Sequence, residues 1–149
     1  MLVKDIMTPH AEWIGANASL REVARKMREQ DIGCLPVGDN DRLIGMITDR
    51  DICCRAVAEG LDPSAARAKD VMSKGITWCY DDQSDSEALA LMEEKKIHHL
   101  PVLSRKKRIV GVLSLGDLAL RSPQALSKDL LHLASRDASR HAERASRTH

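Results

Sequence analysis

The sequence predicts a mixed α/β protein, built from two copies of one strand–helix–strand–strand–helix unit. First, one motif occurs twice, as Gly45–Asp51 and as Gly111–Asp117: a glycine, two apolar residues, a hydroxyl, two free positions and an aspartate. Second, the opening Lys-Asp-Ile-Met-Thr at Lys4 has the counterpart Lys-Asp-Val-Met-Ser at Lys69, 65 positions later. An internal duplication of this length sets the architecture before any single element is assigned.

Each unit shows the same signals in the same order. The spacing Ser-x-x-Glu at Ser19 and again at Ser84 is that of a capping box, which predicts a helix start in both units. A short strand around Trp13 or Trp78 is predicted to precede this helix, with the indole in the core rather than against a ligand. The two strands after the helix are predicted at 34–37 and 43–47 in the first unit and at 99–103 and 109–113 in the second. A last helix is predicted to begin near the aspartate of the motif.

The repeat and the breaks in its pattern divide the chain. The first unit is predicted at 3–60, a linker at 61–68 and the second unit at 69–122. Leucines at helical spacing predict a C-terminal helix at 123–134. The remainder, 135–149, offers nothing to bury, and it is predicted to be disordered.

Composition argues against several classes of function. A net charge of +1 argues against nucleic acid as a partner, since that usually requires a clustered basic face. No apolar run approaches the roughly 20 residues of a membrane span, and the N-terminus lacks a signal-peptide core, so a cytoplasmic protein is expected. The four cysteines show no zinc-ligand spacing, and no metal site is predicted. Without a Ser-His-Asp or Cys-His grouping, we expect no enzyme.

The repeated motif carries the chemistry of a ligand site. A turn from strand to helix offers free N–H groups and a helix dipole that attract an anion. The hydroxyl of Thr48 or Ser114 can donate to a phosphate there, and the carboxylate of Asp51 or Asp117 can accept from ribose hydroxyls, as an acidic residue does in dinucleotide folds. The alternative is that these side chains only cap a helix, since Ser, Thr and Asp all favour that position.

These residues resemble a tandem pair of CBS domains, an arrangement often called a Bateman module. The resemblance covers roughly 3–121, and it rests on the openings Asp5–Thr8 and Asp70–Ser73, the two Leu-Pro-Val strands and the doubled motif. The stretches Asp31–Pro36 and Thr48–Ile52, followed by Gly60–Pro63, also resemble stand-alone bacterial CBS pairs of the hypoxic-response type.

The resemblance implies two units packed sheet to sheet with pseudo-twofold symmetry, and usually a flat homodimer. It also implies two clefts for adenosine-containing ligands: AMP, ADP or ATP above all, with NAD or S-adenosylmethionine as further candidates. The site residues that it implies are Thr8, Thr48, Arg50, Asp51, Ser73, His98, His99, Ser114 and Asp117. Thr8 and Ser73 would lie near the base. Arg50 would favour phosphate near the first motif, and the two histidines would lend charge near the second.

The function expected from this resemblance is that of an adenosine-nucleotide-binding regulatory module. Its ligand would act through a change in the dimer or in the binding of a separate effector protein. The alternative is a ligand-independent interaction or dimerisation module whose clefts are vestigial. Adjacent Cys53 and Cys54 leave redox sensing open as well.

Overall fold

The computed structural model describes residues 1–9, 12–40, 42–123 and 131–133. Its helices are α1 (Val3–Ile6), α2 (Leu20–Gln30), α3 (Asp49–Asp51), α4 (Ala68–Val71), α5 (Asp85–Lys95) and α6 (Leu115–Arg121). Its strands are β1 (Thr8–Pro9), β2 (Ile14–Gly15), β3 (Cys34–Asp39), β4 (Arg42–Thr48), β5 (Cys79–Tyr80), β6 (His99–Leu103) and β7 (Ile109–Ser114). Helix α3 continues into a π-helical segment at Ile52–Val57. None of the helices in these ranges is long and apolar enough to cross a bilayer.

Two sheets confirm the repeated architecture. The first has the order β2-β3-β4 and the second the order β1-β7-β6-β5. In both, a short strand after a tryptophan runs parallel to the next strand, and that strand forms an antiparallel pair with its successor. The predicted strands were therefore correct to within two residues at each end, except that the strands expected around Trp13 and Trp78 begin just after these residues.

The two long helices begin and end in the same way. The Ser19 hydroxyl accepts a hydrogen bond from the Glu22 N–H at 3.2 Å, and the Ser84 hydroxyl accepts one from the Glu87 N–H at 3.1 Å, as the capping spacing predicts. Both helices end at a residue in the left-handed conformation, Asp31 with φ 52° and Lys96 with φ 57°. The chain then enters β3 or β6, each of which lies between two other strands of its sheet.

The opening segment of each unit is exchanged between the units. Val3 and Ile6 of α1 are fully buried in the core of the second unit, and strand β1 pairs with β7 there. Conversely, Ala68 and Val71 of α4 are buried in the core of the first unit, and Ser73 forms a bridge with Met46 of β4. Each core is therefore completed by the other half of the chain.

An arginine of each closing helix holds the exchanged segment. The Arg55 guanidinium donates to the carbonyl oxygens of Val71 at 3.1 Å and Met72 at 3.4 Å, which end helix α4. The matching Arg121 donates to the Ile6 carbonyl oxygen at 3.5 Å, at the end of α1. A cation at a helix C-terminus satisfies carbonyl groups that lack a partner within the helix.

The predicted C-terminal helix falls largely outside the described residues. Residues 131–133 are helical, and Leu133 is buried in the core of the second unit. The other two leucines of the predicted stripe, at 126 and 130, and the tail at 135–149 lie outside the described ranges.

Candidate functional site

The repeated motif forms a capping box in both units. The Thr48 hydroxyl accepts from the Asp51 N–H at 3.1 Å, while an Asp51 carboxylate oxygen accepts from the Thr48 N–H at 3.0 Å. Ser114 and Asp117 form the same pair of bonds at 3.0 and 2.9 Å. The capping interpretation of these residues is thus correct, yet it leaves each hydroxyl its own hydrogen to donate.

The first cleft has a volume of about 580 Å³ and lies against the motif of the first unit. Thr48 and Arg50 of that unit form one wall, and Ser73 of the exchanged opening segment lies beside them. The opposite wall comes from the second unit, where the chain passes from α5 into β6 at His98 and His99. A ligand in this cleft would therefore contact both units.

The second cleft, of about 410 Å³, repeats this plan with the units exchanged. Ser114 and Asp117 lie beside Thr8 of strand β1. The opposite wall is the passage from α2 into β3, at Gly33 and Cys34. Thr8 and Ser73 thus each serve the cleft formed by the motif of the other unit.

The two aspartates of the repeat differ in their surroundings. Asp117 lines the second cleft, and one of its carboxylate oxygens is engaged by the Ser114 N–H. Asp51 is not among the described residues that line the first cleft, and its second carboxylate oxygen lies 3.8 Å from the Arg55 Nε atom. The geometry to accept from a ribose is therefore better at Asp117 than at Asp51.

The two histidines were expected to lend charge near the second motif. His98 lines the first cleft, and His99 lines both. The reason is that β3 and β6 both begin where the two units meet, so the first residue of each strand, Cys34 or His99, faces both clefts. His98 precedes β6 on the side of the first cleft.

The wall that the two clefts share holds two perturbed titratable groups. Burial raises the pKa of the Cys34 thiol to about 12, and the nearby Asp51 and Asp49 carboxylates act in the same direction. Burial also lowers the pKa of His99 below 6.5, helped by His98, while Asp117 and Asp49 oppose the shift. Both groups are therefore held in their neutral forms near neutral pH.

Several cleft residues were not predicted as site residues from the sequence. Asp31, Lys74 and Lys96 line the clefts although they lie outside the repeated motif. Their position depends on the exchange of the opening segments and on which helix end faces which motif. The available hint was the charge difference between Asp31 and Lys96 at matching positions of the repeat.

Comparison with known proteins identifies the family. The sequence model of the CBS domain matches residues 3–56 and 68–123, so the chain belongs to the CBS domain family. Hypoxic response protein 1 of Mycobacterium tuberculosis is 40% identical over 122 residues, which are 81% of this chain and 85% of the relative. CBS domain-containing protein YhcV of Bacillus subtilis is 35% identical over 118 residues, 79% of this chain and 83% of the relative.

Solved structures confirm the predicted fold of two CBS units. The crystal structure of Hypoxic Response Protein I with two coordinated zinc ions is 40% identical, with a TM-score of 0.75, and the match covers 83% of this chain and all of that one. The CBS domain pair of protein MJ0100, in complex with 5′-methylthioadenosine and S-adenosyl-L-methionine, is 26% identical with a TM-score of 0.67 over 80% of this chain and 93% of that one.

The zinc of the first of these structures does not fit the residues described in this chain. Across 1–9, 12–40, 42–123 and 131–133, no three His, Cys, Asp or Glu side chains are arranged to hold a metal ion. Zinc in proteins normally takes three or four such ligands. We therefore derive no role for the metal.

Proposed function

We propose that this protein is a regulatory module that binds adenosine nucleotides in the clefts between its two CBS domains. The observation that carries the proposal is the composite wall of each cleft. The hydroxyl of one unit's motif lies beside a hydroxyl from the opening segment of the other: Thr48 with Ser73, and Ser114 with Thr8. A nucleotide that contacts both units favours one relative arrangement of them, and only such a difference in affinity can transmit a signal.

The local chemistry suits a nucleotide. Hydroxyl hydrogens can donate to phosphate, and the Asp117 carboxylate can accept from ribose hydroxyls. The free N–H groups expected at the helix starts are largely engaged, since the Asp49 N–H donates to the Gly33 carbonyl oxygen and the Leu115 N–H to the His98 carbonyl oxygen, both at 2.9 Å. AMP, ADP and ATP are the proposed ligands, with NAD and S-adenosylmethionine as further candidates. The complex of protein MJ0100 with two adenosine compounds supports an adenosine ligand in a related fold. Binding alone accounts for the activity that we propose, without a catalytic step.

The test is a calorimetric titration with these five ligands. The informative variant is Asp117→Asn, because asparagine keeps an oxygen that can accept from the Ser114 N–H but loses the charged acceptor for the ribose. The matched control is Asp70→Asn, since Asp70 accepts from the Arg67 N–H in the same way, at 2.8 Å, and lines neither cleft. Saturable binding of at least one of the five ligands that Asp117→Asn weakens and Asp70→Asn does not would support the proposal. No binding of any of the five ligands by the wild-type protein would overturn it.

The output of the module is proposed to be a homodimer or a separate effector protein. Val57, 67% exposed, and Leu120, 84% exposed, present apolar surface on the closing helices. We further propose a cytoplasmic location, which keeps the four free cysteines reduced. Sedimentation of wild-type protein and Leu120→Glu, with and without nucleotide, tests the dimer. A monomer under every condition would exclude it.

The second candidate function is a ligand-independent interaction module. The same exposed residues, Val57 and Leu120, favour it, since they lie outside the residues that line the clefts. Under this alternative, the double variant Asp51→Ala/Asp117→Ala would still dimerise or bind its partner as the wild type does. A loss of nucleotide-dependent association in this variant would instead favour the regulatory module.

A further inference from the structure

The two clefts are built from matching positions that carry opposite charges. Asp31 ends helix α2 and lines the second cleft, whereas Lys96 ends helix α5 and lines the first. Both residues hold the left-handed conformation, so they occupy the same place in the repeated fold. A carboxylate in one cleft is replaced by an ammonium group in the other.

At three further pairs of matching positions, the residue of the first cleft is again the more positive of the two. Arg50 in the first cleft matches Gly116, and Lys74 in the first cleft matches Pro9 in the second. Glu12 in the second cleft matches Thr77 in the first.

The resulting linings are opposite in sign. Among the described residues, the first cleft has the cations Arg50, Lys74 and Lys96 and no carboxylate. The second has the carboxylates Glu12, Asp31 and Asp117 and, in the part of the chain that the structure describes, no lysine or arginine. The charge of Glu12 is offset by an ion pair with Lys26 at 2.7 Å, which leaves Asp31 and Asp117 as its main acidic groups.

Each phosphate group adds negative charge to a ligand, and charges within a concave wall are screened less than charges on an open surface. We propose that the first cleft selects the polyphosphate of a nucleoside di- or triphosphate, while the second cleft rejects polyphosphate and takes a neutral or cationic adenosine compound. This inference rests on the proposed function, because it assumes that adenosine compounds enter both clefts. It adds that the two clefts of one chain bind two different classes of adenosine ligand.

The exchange of residues at the helix ends is the sharpest test. Each unit already tolerates the other's residue type in the left-handed position, so Lys96→Asp and Asp31→Lys change charge with little risk to the backbone. The probes are ATP, adenosine and S-adenosylmethionine, titrated into the full chain by calorimetry. Lys106→Asp is the control, because it makes the same charge change at an exposed hairpin turn outside both clefts.

We expect ATP to bind the wild-type protein at one site per chain. The affinity for ATP should be about tenfold or more lower in Lys96→Asp, and the affinities for adenosine and S-adenosylmethionine should change less. Asp31→Lys is expected to weaken S-adenosylmethionine and to add a second ATP site. Raising the salt from about 0.05 M to about 0.5 M should weaken ATP far more than adenosine.

The outcomes separate the two proposals. If none of the three probes binds, the division by charge is overturned, and the proposed function fails as well if AMP, ADP and NAD do not bind either. If adenosine binds but ATP binds no more tightly, or if Lys96→Asp and Lys106→Asp have equal effects, the nucleotide-binding function stands and the division by charge is overturned. Two equal ATP sites in the wild-type protein would also overturn it.

Discussion

Gly111 lies so close to Thr8 that a Cβ atom on the glycine would stand 2.6 Å from the Thr8 carbonyl oxygen. The matching Gly45 faces the Ser73 carbonyl oxygen, 3.1 Å from such an atom. The glycine that begins each repeated motif is therefore the place where the exchanged segment of the other unit packs against the strand. It permits a backbone approach that brings Thr8 or Ser73 to its cleft.

Gly111→Ala is expected to lower the free energy of unfolding by about 1–3 kcal/mol, because the new methyl group must displace the backbone of β1. It should also weaken ligand binding in the second cleft, which Thr8 lines. Urea denaturation measures the first effect and titration with adenosine the second.

Gly15→Ala is the control for this variant, since a Cβ atom on Gly15 would meet nothing within 4 Å. Both glycines lie in strands. Equal stability losses in the two variants would show that the approach of Thr8 to Gly111 does not explain the motif.

Gly38→Ala is expected to displace the indole of Trp13. A Cβ atom on Gly38 would stand 2.7 Å from the Trp13 ring, so the ring packs directly against this glycine of β3. Trp13 is nevertheless 38% exposed and is not in the core, contrary to the prediction from the sequence. We expect a loss of about 1 kcal/mol in stability and a red-shifted, more easily quenched Trp13 emission. Trp78→Phe provides a background in which Trp13 is the sole tryptophan. Unchanged emission on adding Gly38→Ala would contradict the packing.

The helices and strands could be predicted from the sequence, but the exchange of the opening segments between the two units could not. Capping serines, alternating apolar residues and the period of the repeat predict the helices and strands because these signals are local. The segments at Lys4 and Lys69, however, have nearly the same residues, so either could complete the core of either unit. Which core each one joins is decided by chain length and packing across the whole fold, and a local pattern carries no such information.

The same physical reason explains why local patterns in the sequence predict only part of the cleft lining. Thr48 and Ser114 line the clefts because the repeated motif itself places them there, and their contact with a ligand stays a prediction. His98 was expected to lend charge near the second motif, whereas the fold places the end of α5 and the start of β6 beside the first motif. Asp31 and Lys96 become site residues only through this crossing, although their opposite charges are visible in the sequence.

The four cysteines are expected to divide into two pairs in their reaction with a disulfide reagent at about pH 8. Cys34 and Cys79 are buried, and burial raises the pKa of each thiol to about 12, so almost no thiolate is present. Cys53 and Cys54 are exposed. We expect two thiols to react fast and two only after denaturation, and Cys53→Ser/Cys54→Ser to leave no fast thiol. Three fast thiols in the wild-type protein would show that Cys34 or Cys79 is accessible.

The pKa of His99 is expected to rise when a polyphosphate enters the first cleft. In the free protein, burial and His98 lower this pKa below 6.5, which favours the neutral imidazole. The unfolded chain then binds the proton more tightly, so acidification from about pH 7 through the lowered pKa reduces stability. A bound anion favours the imidazolium instead and reverses the shift.

An NMR titration of the His99 ring proton with and without ATP measures this directly, with His99→Gln to assign the signal. We expect the midpoint to rise on binding, and expect no rise with adenosine, which brings no charge to the shared wall. Because His99 lines both clefts, protonation driven from the first cleft places a positive charge beside Asp117 in the second. ATP should then weaken the binding of the cationic S-adenosylmethionine. An unmoved midpoint together with independent binding of the two ligands would show that His99 does not couple the clefts.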